Sequence, residues 1–163
     1  MYVSTQRTGF PAYANPDSQS MFNGKKSLIS VDTANLNTSY CENMMQMFFN
    51  CTSLKNIDVS RFDISNVTNI SGMFYCCTAL EELDVSKWNV SNVTTMRMIF
   101  GGYGGEMSLK SVGDLSGWDT SKVTNMRAMF QNCIDIKSVG NLSNWNVSNV
   151  TDMGWFFNKC ISL

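Results

Sequence analysis

Met73-Phe74-Tyr75-Cys76-Cys77-Thr78-Ala79-Leu80-Glu81-Glu82-Leu83-Asp84-Val85-Ser86-Lys87-Trp88-Asn89-Val90-Ser91-Asn92-Val93-Thr94 decides the fold, because nearly the same pattern recurs along the whole chain. Phe74 belongs to a series, Phe22, Phe48, Phe74 and Phe100, spaced 26 residues apart, and Phe130 and Phe157 follow at 30 and 27. Each anchor keeps the same neighbours. Seven residues earlier stands Cys41, Val67, Val93, Val123 or Val150, and four earlier Met44, Ile70, Met96, Met126 or Met153. Three later stands Cys51, Cys77, Cys133 or Cys160, with Lys25 and Tyr103 in the other two units. Side chains at −7, −4, −1, 0 and +3 lie on one face of a helix, so this half of the unit predicts about two helical turns. Ser39, Ser65, Ser91, Ser121 and Ser148 stand nine before the anchors, where they are expected to cap those helices. Asn37, Asp63, Asn89, Asp119 and Asn146, two residues earlier again, are expected to form turns with their own backbone.

The other half of the unit has period two. Leu54-Lys55-Asn56-Ile57-Asp58-Val59 recurs as Leu80 to Val85 and, more weakly, as Leu28 to Thr33, which predicts a short buried strand. In the later units a Gly is inserted, Gly113 and Gly140, and a bulge is expected there. One such unit cannot bury its own apolar edge, but a stack of them can. The expected fold class is therefore α/β, a leucine-rich-repeat-like solenoid of short parallel strands and short helices, with about five full repeats and one truncated. Residues 1–20 are expected to be a non-repeat N-terminal segment or cap, and 21–163 the repeat array. The uncapped end at Leu163 leads us to expect an array that continues beyond it.

Composition removes several functional classes. The 163 residues carry a formal charge of −1, with 12 Lys+Arg against 13 Asp+Glu, which speaks against nucleic-acid or polybasic membrane binding. Histidine is absent, and with it the usual bases of nucleophilic catalysis, so we expect no enzyme and no cofactor. Ser, Thr and Asn supply 50 residues, yet 44% apolar content argues for a packed core rather than disorder. Residues 1–20 contain no apolar segment of a signal peptide, and no apolar run reaches the roughly 18 residues of a membrane span.

The pattern of residues 73–94 resembles the 26-residue, leucine-rich-type repeat of the BspA-like bacterial surface proteins, found in mycoplasma lipoproteins and Gram-positive surface proteins. The resemblance covers residues 21–163 and departs from the pattern in the loop Gly101-Gly102-Tyr103-Gly104-Gly105 and at Lys25 and Tyr103. It implies a non-catalytic, extracellular or cell-surface array engaged in adhesion. Related repeats also resemble parts of phage tail and virion proteins, which offers a structural or receptor-binding virion component as the alternative.

The candidate contact residues are those that vary between repeats on the strand face and in the Gly-rich loop: Lys55, Glu81, Glu82, Lys110, Lys137 and Tyr103, together with Asp58 and Asp84. The expected partner is a protein or glycan of a cell surface or matrix, not nucleic acid, and this segment is not expected to insert into a membrane. Asp32, Asp58, Asp84 and, near register, Asp114 form a carboxylate column. A calcium-dependent binding module is a further alternative for it, against a solvated ladder of turns relieved by Arg61 and Lys87. The cysteine column reads as free thiols, because helices packed about 8–10 Å apart would hold it beyond bridging distance. The methionines read as core filling. The Asn-x-Ser/Thr triplets fall in the turn of every repeat, so no glycosylation is assigned to them.

Overall fold

The computed structural model describes residues 2–4 and 12–163; residues 1 and 5–11 of the expected N-terminal segment lie outside the described residues. Among the described residues five short strands are formed: β1 (Tyr2–Ser4), β2 (Ala12–Tyr13), β3 (Ser30–Asp32), β4 (Leu36–Asn37) and β5 (Asn56–Ile57). They pair in parallel as β1-β3-β5 and β2-β4. Val3 lies beside Val31 and Val31 beside Ile57, so equivalent residues of successive repeats are stacked. Single parallel bridges extend the stack from Asp17 through Asn43, Asn69, Thr95 and Asn125 to Asp152, and from Glu82 through Ser111 to Ser138.

The expected helices are absent among the described residues, and the α/β solenoid with helices is corrected accordingly. The reason lies in the backbone around each anchor. Two residues before it the chain takes a left-handed φ at Ser20, Gln46, Gly72, Met98, Ala128 and Trp155. Two residues after it the same happens at Gly24, Asn50, Cys76, Asn132 and Lys159. A right-handed helix cannot pass through such residues. The segment is instead a chain of tight turns, with Met47 N–H bonded to Met44 C=O, Phe49 to Gln46 and Cys51 to Phe48. The alternate N–H groups reach across to the next repeat: Met44 to Asn69 C=O, Gln46 to Ser71, Phe48 to Met73 and Asn50 to Tyr75, at 2.7–2.9 Å. Consecutive turns also bring side chains three and four residues apart to one side, which is why the spacing imitates a helix.

Direct backbone stacking aligns the core in columns. Phe48, Phe74, Phe100 and Phe130 are essentially fully buried. Phe22–Phe48, Phe48–Phe74, Phe100–Phe130 and Phe130–Phe157 stack at 5.1–5.4 Å between ring centroids. In a second column the indole N–H groups of Trp88, Trp118 and Trp145 donate to the carbonyls of Val59, Val85 and Leu115 in the preceding repeat. The ladder loses its regular register next to the inserted glycine, where Leu83 and Val85 donate to the adjacent carbonyls Ser111 and Val112. Gly113 and Gly140 take φ of 80°, and a Cβ there would collide with the Oδ1 atoms of Asp84 and Asp114 respectively.

This spacing also revises the argument for free thiols. Repeats stacked about 4.8 Å apart lie within bridging reach, not beyond it. The six cysteines are nevertheless free. The Sγ of Cys51, Cys77, Cys133 and Cys160 each donate to the anchor carbonyl one repeat back, at Phe22, Phe48, Phe100 and Phe130, over 3.0–3.3 Å. Burial pushes the Cys77 thiol well above its ordinary value and that of Cys160 up to about 11. These groups are structural donors held protonated at neutral pH.

Candidate interaction surface

The repeat has three corners, and an Asn or Asp makes most of them. Asp58, Asp84 and Asp114 accept the N–H two residues on, from Ser60, Ser86 and Ser116, at 2.9 Å each. The second corner is built the same way by Asn37, Asp63, Asn89, Asp119 and Asn146, whose donors are the serines expected to cap helices. A third corner was missed by sequence reasoning: Asp17, Asn43, Asn69, Asn125 and Asp152, five residues before the anchors. Its signal was the recurrence of Asn or Asp at that offset, with Thr95 in the remaining unit.

The strand-face candidates are brought together. Lys110 N–H donates to Glu81 C=O at 2.8 Å and Lys137 N–H to Lys110 C=O at 3.3 Å, while Lys55 pairs with Ile29 C=O at 3.0 Å. Lys55 also acts on Glu81 by its charge, so these four exposed side chains follow one outward column, with Glu82 in the adjacent one beside Ser111. Lys110 Nζ and Glu81 Oε2 form an ion pair. The hydrogen bond and charge of Lys110 hold Glu81 below its usual range, and Glu81 raises Lys110 in return. Both partners are open to water, so the pair adds little stability.

Asp32, Asp58, Asp84 and Glu82 line a shallow depression of about 590 Å³ with Ser30, Asn56 and Ser60. Hydrogen bonds from Ser60, its side chain first, hold Asp58 below its usual value, and Arg61 adds its charge; Ser86 and Lys87 act likewise on Asp84. The Oδ1 atoms of these carboxylates are engaged in turns. Among the described residues no three His, Cys, Asp or Glu side chains converge as metal ligands.

Tyr103 stands apart from that strip. It is 77% exposed in the Gly-rich loop, and its carbonyl accepts from Cys76 Sγ at 3.8 Å. On another face, Asn66, Asn92 and Asn149 spend their amides on the carbonyls of Ser39, Ser65 and Ser121, which gives the triplet asparagines a structural task. Thr68, Thr94, Thr124 and Thr151 run beside them, each hydroxyl donating to the repeat before. No helix among the described residues is long and apolar enough to cross a membrane.

Comparison with known proteins adds one finding. A family profile described as "Mycoplasma protein of unknown function, DUF285" matches residues 16–105 and again 104–163. No curated protein and no solved structure is matched. The two matched stretches together take in every anchor from Phe22 to Phe157, and on that ground the chain belongs to the DUF285 family.

Proposed function

We propose that the chain is a non-enzymatic recognition module displayed at a cell surface, where it binds a protein or glycan. The observation that carries this reading is the contrast between inward and outward columns. Inward positions repeat as Phe, Met and Cys, whereas the outward column reads Lys55, Glu81, Lys110, Lys137 on the same scaffold. A scaffold that fixes the backbone while charges vary suits specific surface recognition, in which sign and spacing select the partner. The BspA-like character of the 26-residue pattern and the DUF285 membership support placing it among surface repeat proteins.

The test is a binding panel of matrix proteins and glycans with the intact chain. For a partner so found, Lys55→Glu with Lys137→Glu, and Tyr103→Ala separately, are expected to weaken binding at least tenfold with the melting temperature unchanged. Binding that survives both variants overturns the assignment of this surface. Antibody labelling of intact cells tests the location, and signal only after permeabilisation would remove it.

A further inference from the structure

The array departs from its 26-residue pattern at the Gly-rich loop, and the neck of that loop is held by one residue. Asn132 Nδ2 donates to Gly102 C=O at 2.7 Å, and Asn132 C=O accepts from Met107 N–H at 2.9 Å. Gly102 N–H bonds to Gln131 C=O at 2.9 Å, and Met107 is buried beneath the loop's far end. The residues between, Tyr103 to Glu106, lie at the surface, and their N–H groups meet no acceptor among the described residues.

Beside this loop lies a notch of about 430 Å³, lined by Gly104, Gly105, Glu106, Asn132, Ile134 and Lys159. Three of its polar side chains keep unused capacity. Asn132 is only 9% exposed and spends its Nδ2 on Gly102, while its Oδ1 accepts no hydrogen bond among the described residues. A buried acceptor of this kind calls for a donor from water or a ligand. Glu106 and Lys159 carry opposite charges, and neither belongs to the ion pairs formed among the described residues.

We propose that the notch holds one neutral, hydroxyl-bearing sugar ring of a glycan. This rests on the reading of the chain as a surface recognition module and names the chemistry of its partner. A sugar hydroxyl both donates and accepts. One can donate to Asn132 Oδ1, a second to the Glu106 carboxylate, and a third can accept from Lys159 Nζ. Bonds to the two charged groups are roughly twice as strong as neutral ones. Ile134 offers apolar surface to the C–H face of the ring. Small-ligand sites span about 300–1,000 Å³, and this notch falls at the low end, where a single ring fits. The charges decide the class: Glu106 opposes a carboxylated sugar, Lys159 opposes an amine, and a neutral ring meets neither. A loop already clasped by Asn132 has little left to order when the ligand arrives.

Titration of the isotope-labelled intact chain with glucose, galactose, mannose and N-acetylglucosamine, followed by amide NMR, tests the proposal. At least one sugar is expected to shift the amides of Gly104, Gly105, Glu106 and Ile134 with a millimolar dissociation constant. Glu106→Ala and Lys159→Met are each expected to weaken it at least tenfold with the melting temperature unchanged. Lys55→Glu with Lys137→Glu should leave it as it was. No shift with any of the four sugars, or shifts that both notch variants leave intact, overturns the site. Glucuronate or alanine shifting these amides where the neutral sugars do not overturns the ligand class. A partner that binds through Lys55 and Lys137 while the notch amides stay silent removes the notch and leaves surface recognition standing. Sugar binding at the notch by a chain that antibodies find only inside permeabilised cells does the reverse.

Discussion

Asp84 illustrates how much of the structure rests on single side chains that bond their own backbone. Its Oδ1 accepts the Ser86 N–H at 2.9 Å, and Ser86 and then Lys87 hold its carboxyl below the ordinary range. A carboxyl lowered on folding favours the native state above its unfolded value, near 3.9, and that advantage is lost as pH falls through the depressed folded value. Asp58 and Asp119 are lowered for the same reason, so an acid limb is expected below about pH 4. Asp84→Asn keeps the acceptor and should match wild type at neutral pH while flattening that limb. Asp84→Ala loses the turn and should cost about 1 kcal/mol, as loss of a capping oxygen does, read from urea melts at pH 7 and pH 3. A loss in Asp84→Asn equal to that in Asp84→Ala would show the charge, not the acceptor, to matter. The turn role of Asn37, Asp63 and Asn89 was legible from residue type alone, because a short side-chain oxygen reaches the N–H two residues on wherever the chain bends. The role of the serines beside them was not, since the same local geometry precedes a helix or a turn and only the following φ angles tell the two apart.

At the scale of the element, the chain of turns around each anchor depends on left-handed residues that are mostly not glycine. Gln46, Met98 and Ala128 hold φ of 54–57° at a position where the third repeat has Gly72. Non-glycine residues there cost roughly 1 kcal/mol, offset by the cross-repeat bonds their N–H groups make. Gln46→Gly is therefore expected to leave stability nearly unchanged, and Gln46→Val to lower it by about 1–2 kcal/mol, since a β-branched residue fits that region worst. Equal effects in the two variants would remove backbone strain as the cause. This is also where the sequence is least informative. Spacing of three and four residues fits a helix and a chain of turns alike, and no glycine marks most of the left-handed positions. The strand half was more legible, because Leu54, Ile57 and Val59 set among polar residues leave an apolar edge that an extended chain turns inward.

For the whole molecule, stability is a sum over junctions, each repeat touching only its neighbours. Phe74, buried at the centre of its column, is expected to cost about 3–5 kcal/mol on substitution by Ala. Phe22, half-buried at the end, should cost clearly less in the same urea melts, and parity between them would argue against a stack of local junctions. The candidate contact column was legible as variation against a constant background, but its neighbours in space were not. The Gly-rich loop shifts residue numbers without shifting the stack, so Lys110 falls in line with Glu81 only once the chain is folded. Four of the cross-repeat N–H groups at every junction point the same way, from one repeat toward the next. Their peptide dipoles add along the stack as they do in a helix, with the positive end at Phe157 and the negative end at Phe22. Fewer N–H groups point back, such as those of Thr68 to Glu42 and Lys110 to Glu81, so the stack is an electrical arrow whose net moment lengthens with every repeat, and in an applied field copies of it would all turn to face the same way.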